Sequence, residues 1–176
     1  MEKGKCIIRP AEFFDVAAQQ GFYGLEAGGL TGKKDHVRKY WEDIATKLTI
    51  RNSIEKLLAK RKNIRIVDLG CGSGEGFELL THIPISDHPY VSTQHFALSP
   101  SQISYYLGVD MSHSMVQQGR KNYENKDNVK FEQVDLNKGF QLIDEQPFDI
   151  YFSSYASFSY LTPNKLRQLV EEIFNH

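Results

Sequence analysis

The residues from 64 to 76 combine an acidic side chain with closely spaced glycines. Asp68 precedes Gly70 by two residues, and glycine then recurs at Gly72 and Gly74. Because glycine has no Cβ, another molecule can approach its bare backbone closely. A carboxylate at position 68 would repel a pyrophosphate but could hold an ammonium group. The full run is Ile64-Arg65-Ile66-Val67-Asp68-Leu69-Gly70-Cys71-Gly72-Ser73-Gly74-Glu75-Gly76.

The elements around this run are predicted to be a strand, a tight turn and a helix. The run from Ile64 to Leu69 is apolar apart from Arg65 and Asp68 and is typical of a buried strand. Helical spacing resumes after the glycines with Phe77, Leu79 and Leu80. The N-terminus of such a helix offers unpaired N–H groups and a partial positive charge, which suit an anionic group. The alternative is a glycine-rich turn that binds no ligand.

The glycines do not match the dinucleotide-binding fingerprint G-x-G-x-x-G. Counted from Gly70, the third glycine would fall at Glu75, and counted from Gly72 it would fall at Phe77. The fingerprint also expects a ribose-binding acid about twenty residues further on. Asp87 is the only acid near that spacing, and its neighbours Ser, His and Pro do not form a strand end. These mismatches disfavour an NAD-dependent oxidoreductase, which is kept as an alternative enzyme class.

Length and composition favour one soluble domain. The chain has 176 residues, of which 40% are hydrophobic, and a net charge of -1. It has no basic tail to support binding of nucleic acid or an anionic membrane, and no apolar run long enough to span a bilayer. Cys6 and Cys71 are far apart in sequence, and Cys71 lies inside the glycine turn, so no disulfide is expected. This cysteine usage is typical of a reducing compartment. We therefore expect a cytoplasmic protein with no nucleic-acid or membrane partner.

Residues 82–102 contain three histidines, His82, His88 and His95, among serines and prolines. Their spacing matches no compact zinc signature, and the two cysteines are not placed to complete one. We predict an extended loop over 84–102 and no metal site.

The segment before the glycine turn is predicted to be mainly helical. Pro10 begins a short helix that continues over 11–20, and a glycine-rich loop follows over 21–32. A further helix starts at about Lys34, and a second helical run covers 53–62. We assign residues 1–62 to an N-terminal helical cap or lid.

Strands alternate with helices in the remainder, residues 63–176. Further strands are predicted over 103–109, 129–134 and 147–154, and Ser112 and Thr162 are placed to cap helices. This alternation predicts an α/β fold with a parallel sheet. Ligands of such sheets bind beyond the carboxyl ends of the strands. The polar residues at the four strand ends are Asp68, Asp110, Asp135 and Ser153.

The pattern D-x-G-x-G-x-G resembles motif I of the class I S-adenosylmethionine-dependent methyltransferases. The resemblance covers about 64–173 and implies a Rossmann-like, doubly wound parallel sheet of order 3-2-1-4, preceded by N-terminal helices. It implies S-adenosylmethionine as cofactor and S-adenosylhomocysteine as product. The cofactor ends in an amino acid, so it carries an ammonium and a carboxylate.

The resemblance also implies a role for each residue of the site. Asp68 would help to fix the amino group of the methionine part, which lies against the turn. Asp110 would accept hydrogen bonds from both ribose hydroxyls. The other implied contacts are Gly70, Cys71, Gly72 and Gly74 in the turn, Met111 against adenine, Asp135 on the adenine amino group, the Leu136 backbone at the ring edge, and Ser153 beside the methionine part.

The family sheet has seven strands, whereas strands five to seven are absent here. Strand four would then be an open edge with unpaired backbone groups. The favoured interpretation is that the chain is a fragment of a longer protein. The alternative is that another chain covers the edge of strand four, for example a second copy in self-association.

The methyl acceptor is expected to be a small molecule, on family analogy. The run Ser153-Ser154-Tyr155-Ala156 lacks the Asn/Asp-Pro-Pro-aromatic pattern of the family's amino-methylating nucleic-acid enzymes. Tyr155, Ser157, Phe158 and Tyr160 line the acceptor pocket or are ordinary packing residues. No residue is identified as a general base, so the catalytic residues stay unassigned. A non-catalytic cofactor-binding or interaction module is the remaining alternative.

Overall fold

A computed structural model describes residues 10–20, 36–83, 85, 96–140 and 146–176. The helices are α1 (Pro10–Gln19), α2 (His36–Leu58), α3 (Glu75–Thr81), α4 (His113–Asn122) and α5 (Pro163–Asn175). The strands are β1 (Ile64–Leu69), β2 (Ile103–Asp110), β3 (Val129–Gln133) and β4 (Ile150–Phe152). Short 3-10 turns cover 100–102, 136–138 and 157–160. The predicted loop over 21–32 and most of the one over 84–102 lie outside the described residues.

The four strands form one parallel sheet in the order β3-β2-β1-β4. β1 is central and pairs with β2 on one side and β4 on the other. Every residue of β1 except Arg65 is buried, which explains its nearly continuous apolar sequence. The predicted strand order and the Rossmann-like α/β class are confirmed.

The sheet has a hydrophobic core on each face. Ile64 and Ile66 pack on one side with residues of α2, α3 and α4, among them Ile54 and Phe77. Val67 and Leu69 pack on the other side with residues that include Leu169 of α5. Because side chains alternate along a strand, β1 supplies both cores and fixes the turn that follows it relative to the helices.

Two predicted boundaries differ from the structure. α2 is one continuous helix, where the sequence predicted a break near Ser53. The sequence of α2 contains no glycine or proline, and Ile50, Ile54 and Leu57 pack against the same core, so nothing stops the helix near Ser53. β4 is shorter than the predicted 147–154. None of the helices that the structure describes is long and apolar enough to cross a membrane.

Candidate functional site

The glycine turn between β1 and α3 has a backbone that only glycine adopts easily. The φ angles of Gly70, Gly72 and Gly74 are +78°, +55° and +99°. The N–H groups of Gly70 and Cys71 both donate to Val109 O, at 2.8 and 3.0 Å, which ties the turn to the end of β2. The conformation therefore follows from the glycine spacing and from the neighbouring strand.

The C-terminal end of α4 supports the turn from behind. The Tyr123 hydroxyl donates to Gly74 O at 2.8 Å, and the side-chain amide of Asn122 donates to Ser73 O at 3.1 Å. A Cβ on Gly74 would lie 2.6 Å from the Tyr123 ring and 2.7 Å from that of Phe131. Gly74 therefore faces the aromatic core.

The segment after β4 closes the other side of the turn. Ser157 Oγ lies 2.8 Å from both Gly70 O and Ser154 O, so its single O–H donor is shared between these two carbonyls. Its Cβ occupies the space that a side chain at Gly70 would need. Tyr155 and Ala156 have φ angles of +51° and +58°, an uncommon conformation for residues with a Cβ. Strained backbone is concentrated at functional sites, so these two adjacent residues make the segment a candidate part of the site.

A cavity of about 210 Å³ lies where the glycine turn, the end of β2 and the segment after β4 meet. Nine of the residues that line it were named from the sequence: Gly70, Cys71, Gly72, Asp110, Met111 and Leu136 as cofactor contacts, and Tyr155, Ser157 and Tyr160 as pocket candidates. The other lining residues are Phe14, Glu75, Met115, Val134, Ser154, Ala156, Ser159 and Leu161.

Asp110 lies at the centre of this arrangement. Its Oδ2 accepts a hydrogen bond from Gly72 N at 3.0 Å, and its Oδ1 accepts one from Ser112 N at 2.8 Å. Burial raises the pKa of the carboxyl, against the effect of these two N–H donors. Each carboxylate oxygen keeps a second lone pair, so Asp110 can still accept two hydroxyl donors from a ligand in the cavity.

Asp68 lies beneath the turn and does not line the cavity. It is fully buried on β1, and the Tyr106 hydroxyl donates to its Oδ2 at 2.6 Å. Its Oδ1 has no hydrogen-bond partner among the described residues. Burial, with smaller contributions from the charges of Glu75 and Asp110, raises the pKa of this carboxyl to about 7, although the Tyr106 hydrogen bond opposes the rise.

Asp135 and Ser153 also lie outside the cavity wall. Asp135 Oδ1 accepts from Asn137 N at 3.0 Å, so the side chain caps its own 3-10 turn. Ser153 Oγ donates to Leu69 O at 2.9 Å and fastens the end of β4 to β1. Of the predicted cofactor contacts, Asp68, Gly74, Asp135 and Ser153 do not line the cavity, and all of the predicted contacts stay predictions. No cluster of three or more His, Cys, Asp or Glu in the described ranges is arranged to hold a metal ion.

Helix α1 brings to the cavity a residue that sequence reasoning did not place there. Asp15 Oδ1 accepts from the Ser112 hydroxyl at 2.5 Å and from Ser114 N at 3.0 Å, which docks α1 on the N-terminus of α4. Phe14 then lies edge-on to Tyr160, with ring centroids 5.7 Å apart. No local signal connects residues so far apart in sequence, so this wall could be found only in the fold.

Helix α2 is connected to the cavity through Tyr155. The Tyr155 hydroxyl donates to Asp43 Oδ1 at 2.5 Å. Tyr155→Phe is expected to lower the free energy of unfolding by about 1 kcal/mol, because it removes a hydrogen bond to a charged group that is partly exposed. Asp43→Ala, which removes the acceptor, should have a similar effect, and the double variant should cost little more than either. Additive costs in this double-mutant cycle, measured by urea denaturation, would contradict a direct coupling of the two side chains.

Solved structures share this fold. CalS10, an amino pentose methyltransferase from Micromonospora echinaspora solved with S-adenosylmethionine bound, has a TM-score of 0.51 at 16% identity over 77% of this chain. An S-adenosylmethionine-dependent methyltransferase from Clostridium acetobutylicum has a TM-score of 0.51 at 17% identity over 78%. The chain spans 46% and 45% of those two proteins, which is less than half of their length. A search of curated proteins gave no match.

The glycine turn, the sheet and the acid at the end of β2 all lie within the residues that one family model matches. That model, described as a methyltransferase domain, matches residues 60–175. The match covers more than half of the chain and includes the whole sheet. The chain belongs to the methyltransferase domain family.

Proposed function

We propose that this chain binds S-adenosylmethionine and takes part in methyl transfer to a small-molecule acceptor. The observation that carries the proposal is that Asp110 and the glycine turn, joined by the hydrogen bond from Gly72 N, face one cavity. The cofactor is S-adenosylmethionine, and S-adenosylhomocysteine is its product. The family match supports the reaction class.

The residues of the cavity suit the cofactor's nucleoside. The open lone pairs of Asp110 match a vicinal diol, which has two hydroxyl donors. The cavity also has apolar lining residues that suit the adenine ring, namely Met111, Met115, Val134 and Leu136. No Lys, Arg or His occurs among the described residues that line the cavity, and its charged side chains, Glu75 and Asp110, are acidic and would repel a pyrophosphate. This composition favours a cofactor with cationic groups over a dinucleotide.

In methyl transfer the protein mainly has to position the cofactor and the acceptor and to exclude water. When bound, the cofactor supplies a methyl group already activated by a sulfonium. The glycine turn and Asp110 would fix the cofactor, and Phe14 and Tyr160 would cover it against water. Ser154 and Tyr155, which line the cavity after β4, would offer polar contacts to an acceptor. A base is required only if the acceptor must lose a proton.

The remaining predicted partner is a second copy of the chain. Within the described ranges no strand pairs with the outer side of β4, and an open strand edge can bind another strand. This supports self-association through β4. Two cysteines far apart in sequence, of which the described Cys71 is buried and free, support a cytoplasmic location.

Asp110→Ala is expected to weaken the binding of S-adenosylhomocysteine about 5- to 150-fold, which corresponds to the loss of charge-assisted hydrogen bonds worth about 1–3 kcal/mol. Calorimetric titration of the variant against the original chain would measure the change. Asp127→Asn, which changes an exposed carboxylate in the turn before β3, is the matched control. Unchanged affinity in Asp110→Ala, with the variant folded by circular dichroism, would remove this residue from the site.

A further inference from the structure

Glu75 is a cavity carboxylate that the sequence prediction did not include. It is the first residue of α3 and lines the cavity with Gly72 and Asp110. Its Oε2 lies 3.4 Å from the position that a Cβ on Gly72 would occupy. Its Oε1 accepts a hydrogen bond from the Ser73 hydroxyl at 2.8 Å. The carboxylate is therefore held beside the bare backbone of the glycine turn, on the side that a ligand reaches.

Asp68 is in a different position relative to the same turn. Its carboxyl is fully buried and bonded to Tyr106, and it does not line the cavity. A ligand amine would have to enter the core to touch it. The two acids next to the glycines thus differ in access: Asp68 is buried beneath the turn, and Glu75 lines the cavity.

The surroundings of Glu75 favour a positively charged partner. The charged side chains of the described cavity wall are Glu75 and Asp110, and both are acidic. An ammonium in contact with Glu75 gains a charge-assisted hydrogen bond, which is among the strongest polar contacts in proteins. A purely structural role is the alternative, because an acidic residue in the first turn also stabilises a helix. The two roles differ in whether the effect depends on the ligand.

We propose that Glu75, rather than Asp68, binds the amino group of the cofactor's methionine part. This inference rests on the proposed function. It predicts that Glu75 alone distinguishes the whole cofactor from an adenosine thioether that lacks the amino acid. Asp110 contacts the part that both molecules share, whereas Glu75 contacts the part that only the cofactor has.

The test compares two ligands on matched variants. S-adenosylhomocysteine carries the amino acid, and methylthioadenosine carries the same adenosine and thioether without it. Both are titrated into the original chain, Glu75→Gln, Asp68→Asn, Asp110→Ala and Glu78→Gln. Glu78 lies on the same helix and is exposed, so its variant controls for the loss of one negative charge near the turn.

The expected result is selective. Glu75→Gln should weaken S-adenosylhomocysteine about 10- to 100-fold and leave methylthioadenosine within about twofold of its original affinity. Asp110→Ala should weaken both ligands, and Glu78→Gln should weaken neither. Thermal unfolding of Glu75→Gln should stay close to that of the original chain, so that the loss is not one of folding.

Three results would overturn the inference. Unchanged affinity of Glu75→Gln for S-adenosylhomocysteine would do so, and an equal loss for both ligands would show that Glu75 only supports the turn. A selective loss in Asp68→Asn alone would return the amine to Asp68. If the original chain binds neither ligand, the proposed function is overturned together with the inference, which separates that failure from the other three.

Discussion

Gly76→Ala is expected to lower the free energy of unfolding by about 1–3 kcal/mol, the usual cost of overpacking a core. Gly76 is the second residue of α3, and in an ordinary helix the same change would stabilise by roughly 0.5–1 kcal/mol. Here the new methyl group would overlap Asp68 Oδ2 and would lie 2.9 Å from Asp68 Cγ and 3.1 Å from the Phe152 ring. Asp68 is buried on the central strand and cannot move aside cheaply, so the clash outweighs the helix propensity.

Urea denaturation of a double-mutant cycle would identify the clashing group. In an Asp68→Ala background the obstructing carboxyl is gone, and Gly76→Ala should cost clearly less than it does in the original chain. Glu78→Ala, on the exposed side of the same helix, should change the free energy of unfolding by only a few tenths of a kcal/mol and serves as control. An equal cost of Gly76→Ala in both backgrounds would contradict a contact with Asp68.

Asp68→Asn is expected to remove a pH dependence from the stability of the protein. Burial raises the pKa of this carboxyl from 3.8 to about 7 in the native state. Between these values the native chain holds a proton that the unfolded chain releases, so the free energy of unfolding falls as the pH rises through the interval. The contribution lost by pH 7 is on the order of 4 kcal/mol. The amide of asparagine does not titrate and keeps an acceptor for Tyr106.

Denaturation curves at about pH 4 and about pH 8 would measure this effect. The variant should gain stability relative to the original chain as the pH rises, because only the original chain must bury a charge at high pH. Tyr106→Phe removes the hydroxyl that favours the ionised form and should make the original fall steeper. Asp127→Asn, an exposed control, should follow the original chain. A constant difference between Asp68→Asn and the original chain would contradict a raised pKa.

Local sequence signals predicted the elements that carry the cavity. The apolar run 64–69, the alternating glycines and the helix after them are adjacent in sequence, and each restricts its own backbone. The predicted caps are also local: Ser112 accepts from Met115 N, and Thr162 accepts from Lys165 N with Pro163 beginning α5. The position of Asp110 followed from the rule that parallel strands end at one edge of the sheet.

The side-chain environment of the turn could not be predicted in the same way. The burial of Asp68 depends on Tyr106 in the next strand and on the missing side chain of Gly76, and no local pattern connects them. The part of the cavity wall formed by α1 depends on the hydrogen bond between Asp15 and Ser112. The connection of Tyr155 to α2 depends on its hydrogen bond with Asp43. Contacts between distant parts of the chain decide which acid faces the cavity, so the sequence identified the turn but did not place Glu75 in the cavity wall.

Competition between two cofactors tests the central claim most directly. The chain would be titrated with S-adenosylhomocysteine in a calorimeter, first alone and then in the presence of excess NAD. We predict saturable binding of one molecule per chain that NAD does not displace, since the described cavity wall is acidic and carries no cationic side chain for a pyrophosphate. Saturation by NAD, with no heat from S-adenosylhomocysteine, would contradict the account.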